Sequence, residues 1–290
     1  MILFNKEIEP RTHFCQLFDS EPVEVETPYI NVQVKIKGCN ADCSFCVNKE
    51  SGIFNEDKYF EKLKDISGKI PINKVNFTGG EPTLNIERLK KLVTKTRELL
   101  PDSIIVINTN GYNFEKLFEE NIHEIVDNIQ LSRHHYIDKI NNEIFGFESI
   151  TSEVIKSISS SLENKRLLNL SCNLIKGYID NEKEVFRYLD ESSKIDVRWV
   201  GFVTLIPLNN YCEENQVKFE DFDLKNERFV FTKHWKFGNK CQCYGWVYIP
   251  KDLGDPIRAY NKRTENVDLK QILVFDGENF NVGFSGEVLV

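Results

Sequence analysis

From about residue 29 to residue 205 the chain alternates short apolar runs with helical patterns, six times over. The candidate strands lie at 30–37, 74–78, 103–108, 128–132, 166–175 and 197–204. Helical stretches fall between them at 57–66, 86–100, 114–119, 138–162 (broken) and 182–192. Strands separated by helices pair in parallel, with the helices outside the sheet. Six units are too few for the usual eight-stranded closure. The expected fold class is therefore α/β, a curved and partly open (β/α)6 barrel.

The strands carry a second regularity. Side chains switch faces at every strand residue. Gln33, Lys35 and Lys37 share one face of the first strand, and Asn76 and Thr78 share one face of the second. Asn108 continues to Asn110 beyond the third, Gln130 and Ser132 pair on the fourth, and Asn169, Ser171 and Asn173 line up on the fifth. The opposite faces carry Val32, Val34, Ile36, Val75, Phe77, Leu168, Leu170 and Leu174, and Cys172 joins them as a small core residue. An ordinary barrel fills its lumen with branched apolar side chains. Here helices over the apolar face leave a polar face inside, and buried polar groups need partners. The expectation is a lumen that holds a polar ligand and water. An antiparallel sheet with one wet face is the alternative, which the intervening helices disfavour.

Two runs sit at the carboxyl ends of these strands, where ligands bind in such sheets. Cys39, Cys43 and Cys46 follow the first strand with the spacing C-x3-C-x2-C. Three thiolates do not complete a structural zinc site, which closes with four ligands. A four-iron cluster held by three cysteines keeps one iron open. Half a zinc site or a set of buried thiols is the other reading. After the second strand comes Gly79, Gly80, Glu81 and Pro82. The two glycines let backbone approach a ligand closely, having no Cβ. Pro82 suits an early helical position, so a turn and helix start is also contained in this run.

Together the two runs resemble the radical S-adenosylmethionine (SAM) superfamily. The resemblance implies a partial (β/α)6 barrel with a [4Fe-4S] cluster on Cys39, Cys43 and Cys46 and an aromatic residue, Phe45, before the third cysteine. It implies that the open iron takes the amino and carboxylate groups of SAM. Gly79, Gly80, Glu81 and Pro82 would then bind its methionine end, by backbone contact to the amino group with Glu81 in support. Asn108 and Asn110 would shape the SAM pocket, alternatively forming only an Asn-Gly turn with Gly111. Ser132 and Arg133 would touch ribose and carboxylate, Arg133 through its planar fork. Asn173, Ile175 and Gly177 would reach adenine and ribose. An electron donor such as flavodoxin or ferredoxin is implied as a partner.

No catalytic residue is assigned; His134, His135 and Arg198 are candidates. A histidine near the mouth can bind substrate or relay a proton. Two adjacent histidines point in different directions, so at most one lines a site, and a surface loop histidine is the plainer reading.

The chain of 290 residues allows one large domain or a barrel with an appendage, and 41% hydrophobic content is enough for a proper core. No apolar run reaches membrane-span length. The N-terminus has acidic residues early and no signal-peptide pattern, so a cytoplasmic protein is expected. Eight cysteines there point to metal or redox chemistry rather than disulfides. A net charge of −8 with no Lys/Arg cluster argues against a nucleic-acid footprint.

Three segments are expected: an N-terminal extension at 1–28, the barrel at 29–205, and a small α+β cap at 206–290. The last is rich in aromatics and ends in a hairpin turning at Asp276 and Gly277. Cys212, Cys241 and Cys243 fall in it, and Cys15 in the extension. Relatives of the molybdenum-cofactor and SPASM/twitch types carry auxiliary iron–sulfur clusters in such caps, but their full cysteine patterns are missing. An auxiliary cluster on Cys212, Cys241 and Cys243 with Cys15 or substrate as fourth ligand, a zinc site from the same residues, and unmetallated thiols all stand open.

The resulting reading is a radical SAM enzyme, of oxidoreductase, lyase or isomerase type. It would cleave SAM reductively to a 5′-deoxyadenosyl radical and take hydrogen from a C–H bond of a small polar metabolite or nucleotide. Modification of a ribosomally made precursor peptide is the alternative substrate reading. A non-catalytic metal-binding protein is a third, against which the Gly-Gly-Glu-Pro run speaks.

Overall fold

The computed structural model describes residues 1–14, 23–46, 52–236, 242–252, 254–262, 269–283 and 287–289. Strands β1 (Ile2–Leu3) and β2 (Lys6–Glu7) form a small hairpin, and β3 (Arg11–Phe14) pairs antiparallel with the start of β4 (Val23–Ile36). From β4 the expected alternation runs its course. In order come α1 (Glu56–Ser67), β5 (Ile72–Gly79), α2 (Ile86–Leu99), β6 (Ile104–Thr109), α3 (Lys116–Glu119) and β7 (Asn128–Ser132). The broken helical stretch resolves into α4 (Asp138–Phe145) and α5 (Ser152–Ser161), with Gly146 at φ 74° ending the first. Then follow β8 (Leu168–Leu174), α6 (Glu182–Lys194), β9 (Trp199–Thr204) and α7 (Asn210–Asn215). Strands β4 to β9 pair in parallel in chain order.

The face alternation has its expected outcome. Val32, Val34, Val75, Phe77, Leu170, Cys172 and Leu174 are fully buried in one contiguous core with Tyr59 and Leu63 of α1, Leu92 of α2 and Leu189 of α6. Each such side chain contributes about 1.5–3 kcal/mol. The amide- and hydroxyl-bearing set, Asn76, Thr78, Asn108, Gln130, Ser132, Ser171 and Asn173, is half-buried on the other side.

Asparagine starts four of these helices. The side chains of Asn55, Asn85, Asn181 and Asn209 accept backbone N–H groups in the first turns of α1, α2, α6 and α7. Each cap stabilises its helix by about 1 kcal/mol.

The C-terminal segment adds strands to both edges of the same sheet. Of β10 (Phe229–Lys236), β11 (Gln242–Tyr248) and β12 (Ile257–Lys262), the last lies parallel to β9. Of β13 (Ile272–Phe275), β14 (Phe280–Val282) and β15 (Glu287–Val288), the first lies parallel to β4. The sheet thus runs β10-β11-β12-β9-β8-β7-β6-β5-β4-β13-β14-β15, and among the described residues its edges do not meet. The barrel is partial. The hairpin turns at Asp276, whose Oδ1 accepts the N–H groups of Glu278 and Asn279 (2.9 and 2.8 Å), with Gly277 at φ 109°. Phe275 and Phe280 hold it to Tyr59 of α1, at ring distances of 5.3 and 6.2 Å.

At the opposite edge Asp190 of α6 is the anchor. Its Oδ1 accepts from Arg228 Nη2 (2.8 Å), Tyr248 Oη (2.9 Å) and the Lys251 N–H (3.1 Å). Removing it leaves a guanidinium and a phenol without their shared acceptor. Asp190→Ala is expected to lower unfolding free energy by about 2–3 kcal/mol. Amide hydrogen exchange should rise over 229–260 while β5 and β6 stay protected.

Candidate active site

Backbone hydrogen bonds at the carboxyl ends of β4 and β5 join the two motif loops. The Gly80 N–H donates to the Ile36 carbonyl (2.7 Å) and the Glu81 N–H to the Gly38 carbonyl (2.8 Å). This contact is what requires the glycines. A Cβ on Gly79 would lie 2.8 Å from Lys35 Cα, and one on Gly80 only 1.9 Å from the Gly38 oxygen. The expected close approach is thus to the neighbouring strand's exit.

Glu81 is buried, 1% exposed, and both its oxygens are occupied. Oε1 accepts from the Thr83 N–H (3.0 Å), the Thr83 hydroxyl and the Thr109 hydroxyl (2.7 Å each). Oε2 accepts from the Asn110 N–H (2.6 Å). Burial raises its pKa while these donors pull the other way. Glu81 therefore ties the β5 exit to the β6 exit, and Pro82 opens a short 3-10 turn over Pro82–Leu84. From the β6 exit, Asn110 Nδ2 reaches back to Asn40 Oδ1 (3.0 Å) and to Cys39 Sγ (3.8 Å).

The cysteine loop is held from further sides. The Asp42 N–H donates to the Phe145 carbonyl at the end of α4 (2.8 Å). The Phe45 ring meets His134 edge-on at 5.0 Å and joins a small apolar group of Ile175, Leu205, Cys212, Tyr178 and Tyr211. Leu205, Tyr178 and Tyr211 are members of this wall that the sequence reading missed; nothing local marks them.

Several expected site residues point elsewhere. Arg133 is 2% exposed, and its Nη2 donates to Asp138 Oδ1, to Ser152 Oγ (2.8 Å) and to the Tyr136 carbonyl (3.0 Å). Its N–H still pairs with the Ser171 carbonyl, so the strand alternation continues and turns Arg133 to the helix side. The guanidinium is committed there and is not offered to a SAM carboxylate. Arg198 lies before β9, bound to Asp196 Oδ1 (2.6 Å) and the Asp255 carbonyl (3.1 Å), away from the mouth. Ile175 is fully buried beside Phe45. Ser132 and Asn173 do keep half-buried positions on the lumen face.

Both histidines are buried. His134 Nδ1 accepts the Asn173 N–H (3.1 Å), and His135 Nδ1 accepts the Ile137 N–H (3.0 Å). Burial pushes His134 down to about 3 and lowers His135 as well. Each Nδ1 is thus taken as an acceptor, and the burial of both rings overturns the surface-loop reading.

Cys212 does not sit among the added strands. It is buried on α7 at the mouth, with its Sγ 3.4 Å from the Phe45 carbonyl. Burial keeps its thiol above the ordinary range, so the group is protonated and donates. Cys15 and Cys241 lie outside the described residues, and Cys243 is described only as backbone on β11.

The residues present fit a cluster with an open iron. The donor set is three thiols on one loop, Cys39 exposed and Cys46 half-buried, while the neighbouring Cys212 faces a carbonyl instead. Among the described residues no three His, Cys, Asp or Glu converge as a single-ion site requires. Asn40 Nδ2 in the loop and Asn76 Oδ1 and Asn108 Oδ1 on the lumen face are buried without a protein partner. Such atoms are costly unless a ligand or water meets them.

A family profile described as a 4Fe-4S single cluster domain matches residues 29–139. Among curated relatives, the GTP 3′,8-cyclase of Clostridium acetobutylicum is 28% identical over 190 residues, covering 62% of this chain and 57% of that protein. The GTP 3′,8-cyclase of Clostridium botulinum (strain Okra) is 27% identical over 219 residues, 71% of this chain and 63% of that protein. The chain thus spans less than two thirds of the length of these relatives. Solved structures show the same fold. Native anSMEcpe with bound AdoMet and Cp18Cys peptide aligns with TM-score 0.52 at 20% identity, over 63% of this chain and 55% of that one. Streptococcus suis SuiB bound to S-adenosylmethionine aligns with TM-score 0.51 at 17% identity, over 66% and 44%. No helix among the described residues is long and apolar enough to cross a membrane.

Two outcomes follow from this geometry. Gly80→Ala forces the two motif loops apart; it should cost about 1–3 kcal/mol in denaturant unfolding and reduce bound iron after reconstitution. The second concerns acid. The unfolded chain binds a proton on His134 near pH 6.5, which the folded chain refuses until about 3. Its share of stability is fully present above 6.5 and is lost as pH falls through that window. His134→Asn should flatten the fall of the unfolding midpoint with decreasing pH, relative to the unsubstituted chain.

Proposed function

We propose that this chain is a radical SAM enzyme, and from that premise that it reductively cleaves SAM to abstract hydrogen from a small polar metabolite or nucleotide. Cys39, Cys43 and Cys46 would hold one [4Fe-4S] cluster. When bound, the cluster and SAM together supply a 5′-deoxyadenosyl radical able to take hydrogen from an unactivated C–H bond. One observation carries the reading: three separate runs, after β4, β5 and β6, meet at one rim through Gly80–Ile36, Glu81–Gly38 and Asn110–Cys39 contacts.

The chain's own residues bind and orient. The backbone of Gly79 and Gly80 would present its polar groups to the methionine end of SAM, with Glu81 and Pro82 fixing that turn from behind. Asn108, Ser132 and Asn173 would offer amides and hydroxyls to SAM and substrate from the lumen face. Asn110 would support the cluster by its contact with Cys39. Phe45, backed by Ile175, would shield the loop from water. Holding both reactants in one orientation in a site that excludes water is the protein's main contribution.

The name of the relatives, GTP 3′,8-cyclase, supports a nucleotide over a peptide, so GTP is the first substrate to test. The electron would come from a small carrier such as flavodoxin or ferredoxin.

The test starts with anoxic purification and reconstitution. About four irons should fall to none when Cys39, Cys43 and Cys46 are all changed to Ala. About eight falling to about four would mean an auxiliary cluster, with Cys15, Cys241 and Cys243 as remaining ligands. Dithionite and SAM should then yield methionine and 5′-deoxyadenosine by mass spectrometry, faster with substrate present. A fully loaded protein that releases no 5′-deoxyadenosine is the outcome that overturns the proposal.

A further inference from the structure

The loop 39–46 lacks regular secondary structure, and its shape comes from distant partners. Two of these act on the residues just before Cys46. Asn209 Nδ2 donates to the Ser44 carbonyl (3.3 Å), and the Cys212 thiol donates to the Phe45 carbonyl (3.4 Å). Both donors come from the start of α7, which follows the sixth barrel strand, whereas the cysteine loop follows the first. The Phe45 carbonyl and Cys212 are 167 residues apart in sequence. This contact joins the first and last βα loops of the barrel across the mouth, where among the described residues no sheet pairing joins β4 to β9.

The two donors act as one device. Asn209 caps α7 through Oδ1, which accepts the Cys212 N–H (2.8 Å), while its Nδ2 reaches the loop. The cap therefore fixes where Cys212 stands. Cys212, with Ile175 and Leu205, makes the apolar wall on one side of Phe45, and His134 stands on another. A ring packed on two sides and two carbonyls held by donors leave Cys46 little freedom of orientation. Groups behind a metal ligand tune its placement in this way.

We propose that Asn209 and Cys212 form a clip that positions Cys46, so that α7 sets one corner of the cluster. On this assignment Cys212 is a positioning residue of the primary cluster and not a ligand of an auxiliary one. The inference rests on the reading of Cys46 as a cluster ligand.

The test uses the full chain, anoxically reconstituted, with four variants: Cys212→Ala, Cys212→Ser, Asn209→Asp and Asn209→Ala. Serine retains a donor at 212. Aspartate at 209 retains the cap but replaces the donor by a charge facing the Ser44 carbonyl. The readouts are the rate of iron release to bipyridyl, the EPR signal of the reduced cluster, and thermal unfolding by circular dichroism. Cys212→Ala and Asn209→Asp should release iron about fivefold faster, the loss of one hydrogen bond, with a shifted EPR signal. Cys212→Ser should restore the slow rate, and Asn209→Ala should lose cap and clip together. Wild-type rates and spectra in Cys212→Ala and Asn209→Asp overturn the inference. So does equal acceleration in Cys212→Ala and Cys212→Ser, which would mean that 212 only fills space. If Cys212→Ala does not fold, Asn209→Asp decides. An unsubstituted chain that holds no four-iron cluster sinks the functional reading itself, a result distinct from any variant difference.

Discussion

The Gly80 N–H reaches the Ile36 carbonyl and the Glu81 N–H reaches the Gly38 carbonyl, at 2.7 and 2.8 Å. These bonds extend the β4–β5 ladder past the regular strands into the loops that carry the motifs. The geometry allows no side chain at Gly80, because the facing oxygen already occupies the place of a Cβ. Once the two backbones are joined, the start of the cysteine loop has a fixed height and direction. Glu81 is then carried beneath the rim, where its carboxylate gathers donors from Thr83, Thr109 and Asn110. A backbone contact between neighbouring strands thus becomes a buried carboxylate that orders the third strand's exit as well.

An open barrel needs such ties more than a closed one. In a closed sheet every strand exit is held by two neighbours around the ring. Here the path ends at β10 and β15, so rim loops on β4 and β9 have no common ladder. Contacts outside the sheet supply the missing constraint. The Asp42 N–H is held by α4, Asn40 by Asn110, and the Ser44 and Phe45 carbonyls by α7. The added parallel strands β12 and β13 protect the two edges of the six-strand core without closing it. The aromatic anchors on α1 and α6 are made by Phe275 of β13 and Tyr248 of β11.

The parts legible in the sequence are those governed by short periods. All six barrel strands and the helices between them follow from hydrophobic alternation, and both motifs fall at the strand ends where the parallel arrangement puts them. Arg133 was legible too, had the alternation been followed one residue further: Ser132 faces the lumen, so its neighbour faces the helices. His134 was not, because its tautomer depends on the Asn173 N–H and its neutrality on burial beneath Phe45 and Phe145. Cys212 was grouped with Cys241 and Cys243 by nearness in sequence; its contact with the Phe45 carbonyl, 167 residues away, carries no local signal. Asn55, Asn85, Asn181 and Asn209 each start a helix. A cap needs a short acceptor before an amphipathic run, and that pattern is local enough to be read.

Two kinds of polar group meet near the motifs. Glu81 and Arg133 are buried with their partners and hold loops in place. The half-buried face opposite the helices carries Lys35 on β4, Lys37 just beyond it and, on β5 to β8, amides and hydroxyls: Asn76, Thr78, Asn108, Ser132, Ser171 and Asn173. An amide offers a donor and an acceptor at fixed positions, so a ligand that matches them satisfies both. One that lacks a matching group strands a buried polar atom, and rejection by that route is far stronger than rejection by a missing methylene. Asn76 and Asn108 already present such atoms without protein partners. A ligand bound in this lumen would therefore be selected by its hydrogen-bond pattern along strands β5 and β6, whose exits the Glu81 contacts tie together.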